Sequence, residues 1–90
     1  MQVLQTNTFK KTLKKLHSNQ KVELDKAVRA IINEPLIGVE KAGDLCRVRV
    51  YKFHISNQLN LLAYAFNTEV PSITLLALGT HENFYRDLKK

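Results

Sequence analysis

Pro35 divides this chain into two segments of different hydrophobic period, and that change restricts the fold more than any other feature. Before it, Phe9, Leu13 and Leu16 recur at helical spacing and form one buried stripe. Asn7 or Thr8 is placed to cap this helix, because a side-chain oxygen there accepts an otherwise unpaired backbone N–H. Lys10, Lys11, Lys14 and Lys15 cover the rest of it. They read as a solvated face, the alternative being a contact with ribosomal RNA or an acidic partner. His17 reads as a favourable charge at the helix C-terminus. Ser18 or Asn19 caps a second helix with Leu24, Ala27, Val28, Ile31 and Ile32 on its inner side. Pro35 stops it, since the residue before a proline avoids the helical region. The two helices follow closely and predict a helical hairpin.

After Pro35 the period becomes two. Residues 36–44 read as a loop holding Gly38 and Gly43, and residues 47–53 alternate as a strand does. Ser56 and Asn57 mark a turn. Residues 59–66 are nearly all apolar and predict a central strand. Residues 67–71 are a second turn, and residues 72–78 a third strand ended by Gly79. Residues 82–90 suit a short final helix. With residues 3–5 as an opening strand, the order is β-α-α-β-β-β-α, an α+β fold. Three strands joined by short turns form an antiparallel meander. The helical hairpin should cover one face of the sheet and leave the other partly open.

A length of 90 residues fits a single domain over 1–90 with a thin core, which a partner can help stabilise. The lone Cys46 rules out an internal disulfide and a cysteine zinc site, and suits a reducing cytosol. His17, His54 and His81 lack metal-ligand spacing, so neither metal nor cofactor is expected. The opening Met1-Gln2-Val3-Leu4 is too polar for a signal peptide, and no apolar run approaches a membrane span. A soluble cytoplasmic protein is the expectation. The net charge of +6 points to a polyanionic partner, either nucleic acid or an acidic protein segment that mimics it.

Alternation predicts that Val48 and Val50 point toward the helices, so that Arg47, Arg49 and Tyr51 project from the other side. Guanidinium forks match phosphate oxygens and a tyrosine ring stacks on an unstacked base, which makes that face a candidate RNA surface. The alternative is a solvated outer strand in which Arg49 shields Tyr51. Near the C-terminus, Gly79-Thr80-His81 ends the third strand, and Tyr85 follows His81 by four residues, on the same side of a helix. Imidazole exchanges protons near neutral pH, and a phenol can orient a phosphate. The spacing equally suits a helix cap at His81 and a packing role for Tyr85.

In its motifs the chain resembles the RelE/ParE toxins of bacterial toxin–antitoxin modules. Gly79-Thr80-His81, with an aromatic residue four places on, closes a small basic β-α-α-β-β-β chain, and this tail is most similar to the YafQ-like branch. The opening Asn7-Thr8-Phe9-Lys10-Lys11 is similar too, as are residues 43–50 and the strand Leu61-Leu62-Ala63-Tyr64. The likeness covers nearly the whole chain through short motifs whose order is more specific than any one of them.

The resemblance implies a microbial-ribonuclease fold that cleaves mRNA in the ribosomal A site and is neutralised by an acidic, partly disordered antitoxin. The 2′-hydroxyl would attack the adjacent phosphate with loss of the 5′-oxygen, which needs a base, an acid and cationic stabilisation. It implies His81 as general acid or base, Tyr85 as the closing aromatic group, and Arg47 as the phosphate stabiliser. Arg49 and Tyr51 join them through a shared face. Lys41 lies in the loop where relatives place a basic residue, His54 lies near a histidine position of YafQ-like relatives, and Lys52 is a further RNA-binding candidate on the same strand as His54. Two departures stand out. Leu61 occupies the place where many relatives carry an arginine, and Lys52 and His54 alternate away from Arg47. The same fold also hosts ParE-like inhibitors of DNA gyrase without nuclease activity, the competing function.

Overall fold

The computed structural model describes residues 1–40 and 48–80. Their elements are β1 (Gln2–Gln5), α1 (Asn7–Lys14), α2 (Ser18–Asn33), β2 (Val39–Glu40), β3 (Arg49–Ile55), β4 (Gln58–Asn67) and β5 (Ser72–Gly79). The sheet order is β1-β5-β4-β3-β2. The antiparallel meander β3-β4-β5 is present with apolar β4 at its centre, and β1 adds in parallel to β5. The predicted final helix at 82–90 lies outside the described residues.

Local chemistry explains the joints. Thr6, rather than Asn7 or Thr8, caps α1: its Oγ1 accepts the Phe9 N–H at 3.2 Å and donates to the Leu76 carbonyl at 2.7 Å. One side chain thus caps the helix N-terminus and ties it to β5. α1 stops at Lys14, so His17 becomes the N-cap of α2, with its N–H on Gln20 Oε1 at 2.8 Å. The expected C-terminal charge role of His17 and the Ser18 or Asn19 cap are both corrected. α2 ends ahead of Pro35, as proline geometry requires. Ser56 and Asn57 take positive φ (49° and 67°), the pattern of the tight turn that matches the twist of a two-residue hairpin. Within the expected loop, Val39 and Glu40 instead pair with Val50 and Arg49 as a short edge strand.

α1 and α2 pack on one face of the sheet. Phe9, Leu24, Ala27 and Ile31 meet Leu62, Tyr64, Ile73, Leu75 and Leu78 there. β5 manages this through a bulge: Ala63 pairs with Ala77 but Tyr64 with Leu75, which leaves Leu76 as the extra residue. Without it, Leu75 and Leu78 would point to opposite faces.

The regular β3–β4 ladder puts Val50 opposite Ala63 and Tyr51 opposite Leu62, the reverse of the face assignment expected from alternation. Val50 does not face the helices; it joins Leu61, Ala63 and Ala77 on the other face. Tyr51 and Phe53 take the helix side, their rings stacked 6.0 Å apart. Nor is the second face simply open, since Val50, Leu61, Ala63 and Ala77 are all buried. Apolar residues on both faces of β3 leave alternation without a preferred side, and the two rings pack, partly buried, against the core on the α2 side.

Candidate nucleic-acid site

The two ends of β3 carry different chemistry. At its N-terminal end, Arg49 pairs with Tyr64 across the ladder and sits on the helix side. Its Nη1 donates to the Gly38 carbonyl at 2.8 Å and to the Leu36 carbonyl at 3.3 Å, and its Nη2 lies 3.4 Å from Glu40 Oε2. The fork therefore fastens the chain between α2 and β2. Tyr51 is half-buried against the helix-side core with Phe53. Arg49 and Tyr51 do share a face, but both are engaged with the protein.

Beneath this clamp lies Tyr64, which sequence reasoning read only as part of an apolar strand. It is fully buried. Its Oη accepts the Gly38 N–H at 2.9 Å and donates to the Pro35 carbonyl at 2.6 Å. Burial pushes its pKa above the ordinary tyrosine value, against the opposing pull of the Gly38 hydrogen bond and the Arg49 charge. The visible signal was a tyrosine inside an otherwise apolar run; its partner lies 26 residues away.

At the C-terminal end of β3, Lys52 and His54 are exposed and alternate onto the second face, with Val50. Strand rise puts them about 7 Å apart along β3. Lys52 pairs with Leu61, and Leu61 in turn with Gly79, the last residue of β5. His54 pairs with exposed Leu59 on the neighbouring rung. β3 and β5 both run antiparallel to β4, so their C-terminal ends lie at the same edge of the sheet. This end combines a cation and an imidazole with the point from which the chain continues to Thr80 and His81. Lys41, Arg47, His81 and Tyr85 lie outside the described residues. Leu61, which stands where relatives carry an arginine, is fully buried in the middle of the Lys52–Leu61–Gly79 row. Lys52 thus brings positive charge to a row whose central position supplies none.

An open cleft of about 780 Å³ lies at the opposite end of the sheet, its wall including Leu4, Arg49, Phe66, Asn67, Ser72 and Thr74. Its cation is Arg49, already bound to Glu40 and two carbonyls, so the cleft is poorer in free charge than the Lys52–His54 edge. Among the described residues, no three His, Cys, Asp or Glu side chains gather to hold a metal, and no helix is long and apolar enough to cross a membrane.

A family model described as the ParE-like toxin of type II bacterial toxin–antitoxin systems matches residues 3–89. No curated protein matches. Among solved structures, the crystal structure of the intact E. coli RelBE toxin–antitoxin complex aligns at 20% identity, covering 90% of this chain and 96% of that one, with a TM-score of 0.73. A free-state variant of E. coli toxin RelE aligns at 18% identity over 98% of this chain and 90% of that one, with a TM-score of 0.76. A conserved hypothetical protein of Helicobacter pylori aligns at 19% identity over 98% of both chains, with a TM-score of 0.59. At these identities the structural likeness establishes the shared fold, two helices on a five-stranded sheet. The family match runs through nearly every element described above, and the chain belongs to the ParE-like toxins of type II bacterial toxin–antitoxin systems, within the RelE/ParE superfamily.

Proposed function

We propose that this toxin is a ribosome-dependent endoribonuclease whose RNA-cleaving face is the second face of the sheet, at the C-terminal ends of β3 and β5. The supporting observation is the row Lys52–Leu61–Gly79, which sets Lys52, with His54 beside it, at the edge from which the chain runs to His81. In the reaction, a base takes the proton of the 2′-hydroxyl and the 2′-oxygen bonds to the adjacent phosphorus. The bond from phosphorus to the 5′-oxygen breaks, and an acid protonates the leaving oxygen. The products are a 2′,3′-cyclic phosphate and a 5′-hydroxyl. No metal is required if cations stabilise the crowded phosphate. Lys52 fills that role, His81 and His54 supply acid–base capacity, and Tyr85 orients the phosphate. Arg47, which precedes the N-terminal end of β3 in sequence, would contact RNA away from Lys52. Arg49 and Tyr51 take a lesser part in this reading, because both are bound within the protein.

E. coli RelE has been solved in complex with its antitoxin RelB. By analogy, an acidic antitoxin segment neutralises this chain and gains structure on binding. mRNA in the ribosomal A site is the substrate.

The second reading is inhibition of DNA gyrase, favoured by the ParE-like description of the matching family model. Brief induction followed by mapping of mRNA 5′ ends separates the two. In-frame cuts within translated regions, lost in His81→Ala while the variant stays folded, are the expected result. Intact mRNA with DNA damage, unaffected by His81→Ala, would overturn the nuclease in favour of the gyrase reading.

A further inference from the structure

The two helices treat their charges differently. On α2, Lys26 lies 3.4 Å from Glu23, and Arg29 lies 3.0 Å from Asp25. On α1, Lys10, Lys11 and Lys14 are exposed, as are Lys15 at its C-cap and Lys21 just beyond the turn. Among the described residues none of the five has an ion-pair partner. The four α1 lysines have no acid near them in sequence, since no Asp or Glu precedes Glu23; Lys21, on α2, has Asp25 one turn on. Lys10 with Lys14, and Lys11 with Lys15, are like charges one helical turn apart, which repel. A merely solubilising face, as expected from the sequence alone, would gain from the interspersed acids that α2 has.

We infer that this lysine ridge is a second docking surface, for the phosphate backbone of a double-helical RNA. The inference rests on the translational reading above, which places the toxin beside folded RNA. α1 packs against β5 from the helix side of the sheet, whereas Lys52 and His54 occupy the other face. The two surfaces lie on opposite faces of the sheet, so the ridge addresses RNA other than the nucleotides at the cleavage face. Its chemistry selects the partner. Large exposed apolar side chains are absent between Lys10 and Lys21, where a protein segment folding on contact would need them. The one aromatic side chain of α1, Phe9, is buried, so unstacked bases find no ring there. What remains is regularly spaced point charge, suited to a duplex backbone read without regard to sequence. Two contacts on one ribosome would raise the effective concentration of the toxin at its substrate.

Matched double substitutions test this. Lys10→Gln with Lys14→Gln removes two ridge charges, and Lys26→Gln with Arg29→Gln removes two paired ones. Binding to a non-cleavable RNA duplex is measured by fluorescence anisotropy across a salt series. The ridge variant should bind at least several-fold more weakly, with its log–log salt slope reduced by about 2, roughly one per lysine. The α2 variant should behave as the native chain, and both should keep the native melting temperature within a few degrees. Equal loss from both variants, or unchanged duplex binding in the ridge variant, would overturn the proposal. So would native duplex binding combined with loss of antitoxin binding, which would make the ridge a protein surface. The duplex assay reads the ridge whether or not the chain cleaves RNA, so failure of the nuclease reading shows separately as absent cleavage.

Discussion

The Gly38 N–H donates to the Tyr64 hydroxyl at 2.9 Å, and a methyl group at position 38 would lie 2.7 Å from that same oxygen and 2.8 Å from the ring. Glycine is required there by close approach. Gly38→Ala should therefore lower stability by about 1–3 kcal/mol, the ordinary range for overpacking. Urea unfolding would measure it; an unchanged midpoint would show that the segment moves aside freely.

Tyr64→Phe keeps the ring and removes the hydroxyl. The Gly38 N–H and the Pro35 carbonyl then lose their shared partner in a buried place. A loss of about 1–3 kcal/mol is expected. The same assay checks it, and hydrogen exchange at Gly38 should speed up.

Arg49→Lys should cost about 1–2 kcal/mol although it keeps the charge. An ammonium cannot reproduce the fork that spans the Leu36 and Gly38 carbonyls and Glu40. Glu40→Gln should cost under about 1 kcal/mol, because that carboxylate is 60% exposed and its pair is screened. Comparable losses in the two variants would assign the clamp to the ion pair instead of the carbonyls.

Alkaline pH should destabilise the fold through Tyr64. Burial raises its folded pKa above the ordinary value of 10.0. The unfolded chain then releases this proton first, and stability falls with rising pH wherever the native state holds more protons. The contribution is complete below about pH 10 and is lost as pH climbs through the folded value. Melting temperatures of native and Tyr64→Phe proteins from pH 8 to 11 would show it; the native curve should fall more steeply above pH 10.

Lys52→Ala and His54→Ala should each lower RNA cleavage by about 100-fold, the lower range for a positioned proton-transfer or charge-stabilising group. Both side chains are exposed, so folding stability should stay within about 0.5 kcal/mol of native. Single-turnover cleavage on programmed ribosomes is the measurement. Full activity in both variants would move the chemistry away from this edge of the sheet.

Local pattern and local sterics determined most of the secondary structure from the sequence. Phe9, Leu13 and Leu16 set one helix face, Pro35 stopped α2, Ser56 and Asn57 made the turn, and the apolar run through Tyr64 made a central strand. These depend on neighbours within a few residues. The two helix starts were misread because Thr6 and His17 have polar competitors beside them, and the chosen cap depends on where the helix docks. The face assignment of β3 needed the tertiary structure. Alternation separates Arg49 and Tyr51 from Val50, Lys52 and His54, but it carries no sign when both faces bury apolar groups. Packing supplied the sign by placing Tyr51 and Phe53 on the α2 side. The engagement of Arg49, the Gly38–Tyr64 contact and the alignment of Lys52 with Gly79 likewise join residues distant in the chain. Strand register and the Leu76 bulge decide such pairings, through hydrogen bonds and close packing that no local window of sequence contains.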